Sequence, residues 1–444
     1  MFAPGQSHTA VKKTAPELVL PFYFYAALSL PFYFYAALSL LAGTILLFFS
    51  ADSFTQSHLH PHVLAITHIM ALGWGTMIIL GASHQLVPVI IEKSLYSQKL
   101  AYTSFFLAAT GIPLLVYAFY TFNMAAPAKW GGRLVLLAVI CYVVNLSKTI
   151  FSSRQKNVHA WFILAASGWL LFTVSLGLAL VYNFSFSFLP ANSFKYLPLH
   201  AHAGIIGWFL LLIIGVGARL IPMFLISKYT NSTLLWFIFG LINAGLISFT
   251  IIFLFIPGTV GFLLPIFLIL IAIILFAWFC YKSFKQRIRR QVDEQMKTSL
   301  LSVWKMKTSL LSVWMMLLPF IFLMSIVGWL FTDMMSSRMT LVYGFIIFFG
   351  WITAIIFGMT FKTMPFIVWN TIYGQKAGIG KTPNPKDLFS NTVFKYMLFI
   401  YLVGFVLFIV GAVLAQTVLL CIAAAILILA AVLYSNFNFG SGIV

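Results

Sequence analysis

Acidic residues are scarce in this 444-residue chain: seven Asp and Glu stand against 26 Lys and Arg, and charged residues make up only 7%. Apolar residues make up 62%. A water-soluble globule with so few charges would expose large apolar patches, so the composition excludes one and makes lipid the solvent. The basic excess therefore reports which loops face which side of a membrane, not a nucleic-acid partner. Cysteine is also sparse. Cys141, Cys280 and Cys421 all lie in apolar runs, and none belongs to a CxxCH haem attachment or a paired metal motif, so they define no redox compartment. Histidine is missing after Ser227, and no carboxylate lies deep in an apolar run, which argues against proton pumping by a carboxylate relay.

What is present is a succession of long apolar runs. Those able to cross about 30 Å of hydrocarbon as helix occur near residues 19 to 50, 63 to 90, 100 to 122, 132 to 151, 159 to 183 and 198 to 226. Six more follow near 233 to 255, 259 to 281, 309 to 332, 340 to 369, 391 to 414 and 417 to 435. The runs are continuous rather than alternating, and a helix satisfies its own backbone in lipid, so the expected fold class is all-α. It is a polytopic membrane bundle of about 12 transmembrane helices in a single domain, residues 1 to 444.

Loop charge orients the bundle. With the N-terminus inside, Lys12, Lys13, Lys93, Lys99, Lys148, Arg154, Lys156 and Lys228 fall on the cytoplasmic side. Lys376, Lys381, Lys386 and the basic loop 282 to 308 join them. The other side receives only Lys129, Arg133, Lys195 and Arg338. The expected location is a bacterial inner membrane with both termini cytoplasmic. The first apolar run lacks a small-residue cleavage site and reads as a retained span rather than a removable signal.

Two tandem duplications are too similar to be old structural repeats. PFYFYAALSL occurs at 21 to 30 and again at 31 to 40, and residues 296 to 305 recur at 306 to 315 with only the last residue changed. They point to recent slippage or an assembly error. Pro31 is expected to mark a kink or a helix start within the lengthened first run.

A divergent repeat carries more. HIMALGWGTMIILGASHQLVP at 68 to 88 and HAGIIGWFLLLIIGVGARLIP at 202 to 222 share His, Gly-Trp, Gly and Pro at one offset. A third copy at 345 to 365 keeps Gly350, Trp351, Gly358 and Pro365, with Phe345 in the histidine's place. Four expected helices separate successive copies, so the copies share one orientation. A pseudo-threefold bundle of three four-helix repeats is expected.

His68 and His202 lie in the outer parts of their helices, where an unpartnered polar ring is unfavourable. Facing each other from equivalent places, they could serve as the two axial ligands of a six-coordinate haem b. Ala71, Gly73, Ala203, Gly204 and Gly207 would leave room for the flat macrocycle. The alternative is a hydrogen-bonded interhelical histidine. His200 and His202 are two positions apart, about 200° around a helix, so they point to opposite sides and could serve different centres.

The segment HAHAGIIGWFLLLIIGVGARLIP resembles the tenth-helix signature of haem-copper oxidase catalytic subunits, especially the C-type oxidases. That resemblance implies twelve helices in a pseudo-threefold bundle and two histidines of HxH that ligate two different haems. Here HxH falls on the sixth helix, the tenth has no histidine, and the copper-site histidines are missing. The pattern is similar to the looser NnrS-like branch of haem-bearing relatives. It implies respiratory electron transfer or diatomic-gas chemistry or sensing. If the chain is an enzyme, oxygen or nitric oxide is reduced with electrons from a partner protein or other membrane subunits.

His58, His60 and His62, in SHLHPHV, precede the second run. If that loop is extended, alternate side chains point the same way, and three imidazoles could converge on copper or zinc; otherwise it is a solvated polar loop. Used as a collector, it would suit a second reading, a metal or small-solute transporter with helices broken near mid-membrane. His84 lies roughly 24 Å along the helix from His68 and cannot share its ligand. With Gln85, Arg219 and Lys362 it is expected to reach the interface or bind a lipid headgroup. His159 is expected at the membrane interface.

Overall fold

The computed structural model of the chain describes residues 16–153, 157–225, 227–256, 260–287, 337–373, 382–383, 388 and 391–440. The expected span near 309 to 332 and nearly all of the basic loop 282 to 308 lie outside the described residues. Among the described residues there is no β-strand, and eleven helices are long and apolar enough to cross a membrane. They are α1 (Leu28–Phe49), α2 (Pro61–Ile90), α3 (Gln98–Tyr120), α4 (Ala126–Phe151), α5 (Val158–Phe186) and α6 (Ser193–Met223). The second group is α7 (Ser232–Phe255), α8 (Val260–Lys285), α9 (Ser337–Phe361), α10 (Thr392–Leu414) and α11 (Thr417–Asn436). The chain is therefore an integral membrane protein, and its outward apolar side chains face lipid.

Local sequence sets the helix starts. Ser97, Asn157 and Asn231 each accept a backbone N–H three residues on, at 3.2, 3.0 and 2.9 Å, satisfying donors at the starts of α3, α5 and α7. Pro31 lies inside a helix that runs unbroken from Pro16 to Phe49, rather than at a start.

The helices α1 and α2, α3 and α4, α4 and α5, α7 and α8, and α10 and α11 pack as neighbours, and α1 also packs against α11, so the first described helix meets the last. The three helices that carry the divergent motif are the innermost. The apolar windows of α2, α6 and α9 are 67%, 61% and 78% buried, against 28–50% for the other eight. Each carries a π-helical segment that begins just after the histidine or its phenylalanine counterpart: Ile69–Thr76, Ala203–Leu210 and Ile346–Ile352. Such wider turns are rare and concentrate at functional sites. Directly above and below them the helices are α-helical again.

Indole hydrogen bonds tie these helices together. Trp74 Nε1 on α2 donates to Thr353 Oγ1 on α9 at 2.9 Å, and Trp208 Nε1 on α6 donates to Thr76 Oγ1 on α2 at 3.0 Å. Trp351 Nε1 on α9 is buried without a partner. Thr76 and Thr353 stand two residues after their own tryptophans; the residue two after Trp208 is Leu210, which has no hydroxyl.

Candidate functional site

A cavity of about 690 Å³ opens between these inner helices, within the usual range of about 300–1,000 Å³ for cofactor sites. Its wall is mostly apolar, and His58, His68, His200 and His202 supply the imidazoles on it.

The rings of His68 and His200 face each other with centres 6.2 Å apart and planes at 22°. His68 Nδ1 lies 2.7 Å from the Leu64 carbonyl, one turn earlier on α2. His200 Nδ1 lies 3.0 Å from the Thr173 carbonyl on α5. With Nδ1–H donated to a backbone acceptor, the lone pair of each ring is left on Nε2. This is the support that metal-ligating imidazoles ordinarily have. The His68 ring also stacks on Phe119, with centres 4.3 Å apart. Gly177 on α5 makes the space for His200, since a Cβ there would lie 2.7 Å from His200 Cε1.

His202 is not part of this pair. The expected facing of His68 and His202 is replaced by that of His68 and His200, because the HxH spacing turns His202 about 200° away. The His202 Nδ1 is 2.8 Å from the Pro198 carbonyl, and its Nε2 is 3.2 Å from the Tyr343 hydroxyl on α9. The sequence signal for Tyr343 is its register: it stands two residues before Phe345, as His200 stands two before His202.

The three outer histidines form no common site, although the rings of His60 and His62 meet edge-on with centres 4.8 Å apart. The segment from Pro61 is helical rather than extended. His60 Nδ1 accepts the His62 backbone N–H at 3.2 Å and caps the helix. His62 stacks on Tyr120 with centres 4.0 Å apart and Nδ1 3.2 Å from Ser53 Oγ. His58 Nδ1 instead meets Ser337 Oγ at 2.9 Å, where burial holds the imidazole pKa below its usual value. Among the described residues no group of three His, Cys, Asp or Glu is placed to hold a metal ion. Copper or zinc thus has no three-histidine site at His58, His60 and His62.

Two further expectations change. His84 is fully buried between Phe32 and Tyr142 instead of reaching the interface, and Gln85 is buried as well while Arg219 is exposed, so no common polar ring forms. The Lys362 side chain lies outside the described residues. His159 is partly buried and turns inward, with Nδ1 2.9 Å from the Gly215 carbonyl on α6.

Neither the models of known protein families nor the curated proteins give a match to this chain.

Proposed function

We propose that this chain is a haem-binding membrane protein in which His68 and His200 would hold the haem. The observation that carries the reading is their 6.2 Å ring separation. Rings at that separation leave room between them for one group that both imidazoles would hold. The donor set fits as well: two free Nε2 atoms, both rings braced through Nδ1, and an apolar wall relieved by Gly177 and Gly132. Bound there, a b-type haem would supply one-electron redox chemistry.

The chain's own residues would hold and shield that group. Leu64 and Thr173 orient the two imidazoles, Phe119 limits rotation of His68, and the surrounding leucines and valines keep water out. Respiratory electron transfer or oxygen or nitric-oxide chemistry or sensing follows from the oxidase resemblance alone. It would require a protein electron donor.

The bundle is proposed to consist of three related four-helix units about an axis normal to the membrane. Three coincidences support this: the shared motif, the π-helical segment in register in each copy, and the one-directional Trp-to-Thr bonds. The transporter reading expects α2 and α6 to be broken near mid-membrane; their π-helical segments join α-helix on both sides.

A pyridine-haemochrome spectrum of the purified protein tests the proposal. A b-type spectrum is expected, and a folded protein that never takes up haem would remove it.

A further inference from the structure

Lys129, Arg133, Lys195 and Arg338 are the cations of the lysine-poor end of the bundle, and the first two stand one turn apart on α4. Like charges four residues apart on a helix repel each other. Asp52 is the acidic residue described at this end, and among the described residues neither Lys129 nor Arg133 has a carboxylate partner.

What surrounds the two cations is aromatic. Tyr182 on α5 lies between them, its ring centre 5.6 Å from Lys129 Nζ and 5.6 Å from Arg133 Cζ. Lys129 Nζ is also 5.0 Å from the Phe186 ring centre, and Arg133 Cζ is 4.7 Å from that of Trp130. Ring faces attract cations, but they carry no net charge, so nothing negative balances the pair. Arg133 donates to the Tyr182 hydroxyl oxygen through Nε at 2.7 Å and through Nη2. That oxygen has two lone pairs and both are engaged, so its own O–H is left to donate. The cluster therefore presents donors alone: the Lys129 ammonium, the remaining guanidinium N–H groups and the Tyr182 hydroxyl.

The Tyr182 and Phe186 rings also head an open groove between α4 and α5, which passes Ala179, Leu178 and Leu136 and ends at Ser175. From Phe186 to Ser175 it follows α5 for roughly 16 Å. Donors at the helix ends, above an apolar groove that descends into the hydrocarbon, match the two parts of a phospholipid.

We propose that the lysine-poor ends of α4 and α5 bind one anionic phospholipid, its phosphate held by Lys129, Arg133 and the Tyr182 hydroxyl and one acyl chain laid in the groove. Phosphatidylcholine suits the place less well, because its trimethylammonium group would meet aromatic faces that Lys129 and Arg133 already cover. A soluble phosphate would use the donors and leave the groove unfilled.

This inference does not rest on haem. Full-length protein in detergent would be titrated with dioleoyl phosphatidylglycerol or dioleoyl phosphatidylcholine, and the lipids retained counted by native mass spectrometry. The wild type is expected to retain one more phosphatidylglycerol than the Lys129→Gln/Arg133→Gln double variant. At that site it should prefer phosphatidylglycerol over phosphatidylcholine by about tenfold or more, as two interfacial cations acting on one charge would give. Ala179→Phe, which fills the groove and spares the cations, should lose the same lipid, and Lys195→Gln should keep it. Equal phosphatidylglycerol counts in the wild type and the double variant overturn the proposal. If the double variant is not monodisperse, an undiminished count in Lys129→Gln does so instead. Equal retention of phosphatidylcholine would reduce the site to an unselective lipid contact, and retention in Ala179→Phe, or displacement by an equal concentration of inorganic phosphate, to a free-anion site. Each of these outcomes also overturns it.

Discussion

The rings of His202 and Tyr343 lie 6.1 Å apart at 26°, with the tyrosine hydroxyl 3.2 Å from Nε2. His68 and His200 stand in nearly the same relationship, at 6.2 Å and 22°. In both pairs the second residue stands two positions before the first one's counterpart in the next motif copy. The Tyr343 hydroxyl occupies the His202 nitrogen that would otherwise be free, while the two Nε2 atoms of the other pair remain available. His68→Ala and His200→Ala are each expected to abolish low-spin haem absorption. His202→Ala and His84→Ala should leave it in place. Loss in His202→Ala with retention in His200→Ala would restore the pairing expected from equivalent positions.

Gly177 tests the same site sterically. A methyl group there would lie 2.7 Å from the His200 ring, and overpacking of this kind disturbs a site by about 1–3 kcal/mol. Gly177→Ala is expected to shift or weaken the low-spin bands at unchanged oligomeric state. Gly168, with nothing within 4 Å of an added Cβ, is the control on the same helix. Equal spectra for the two alanine variants would remove Gly177 from the site.

The indole bonds make a stability prediction. Thr76→Val leaves the buried Trp208 N–H without its acceptor, at a cost of about 1–3 kcal/mol. A double-mutant cycle between Leu210→Thr and Trp351→Phe should give a favourable coupling of about 0.5–1.5 kcal/mol, because the new hydroxyl would take the place that Thr76 and Thr353 hold in the other two copies. Thermal unfolding in one detergent measures both. Zero coupling would mean that position 210 does not face Trp351.

His58 carries a pH dependence. Its folded pKa lies below the usual value because burial disfavours the imidazolium. Between the folded and unfolded pKa values the unfolded chain binds more protons, so stability falls as pH drops below about 6.5 and is fully retained above it. His58→Asn should flatten the melting temperature against pH between about 7.5 and 5. An identical slope in both proteins would assign the dependence to other groups.

Hydropathy alone determined the membrane-spanning helices, because a helix in lipid must satisfy its backbone within itself and therefore needs only its own residues. The motif copies on α2, α6 and α9 were likewise legible, and they proved to be the innermost helices. Burial of His84 was not legible, since a histidine sixteen residues along a span looks the same whether it snorkels or packs between Phe32 and Tyr142. Nor was the folding of His60 and His62 into a helix start, where their two rings meet while His58 is bonded to Ser337. Above all, only the tertiary structure decided which histidines meet. His200 and His202 stand about 200° apart around α6, and the packing of α6 puts the His200 side opposite His68 while His202 meets Tyr343.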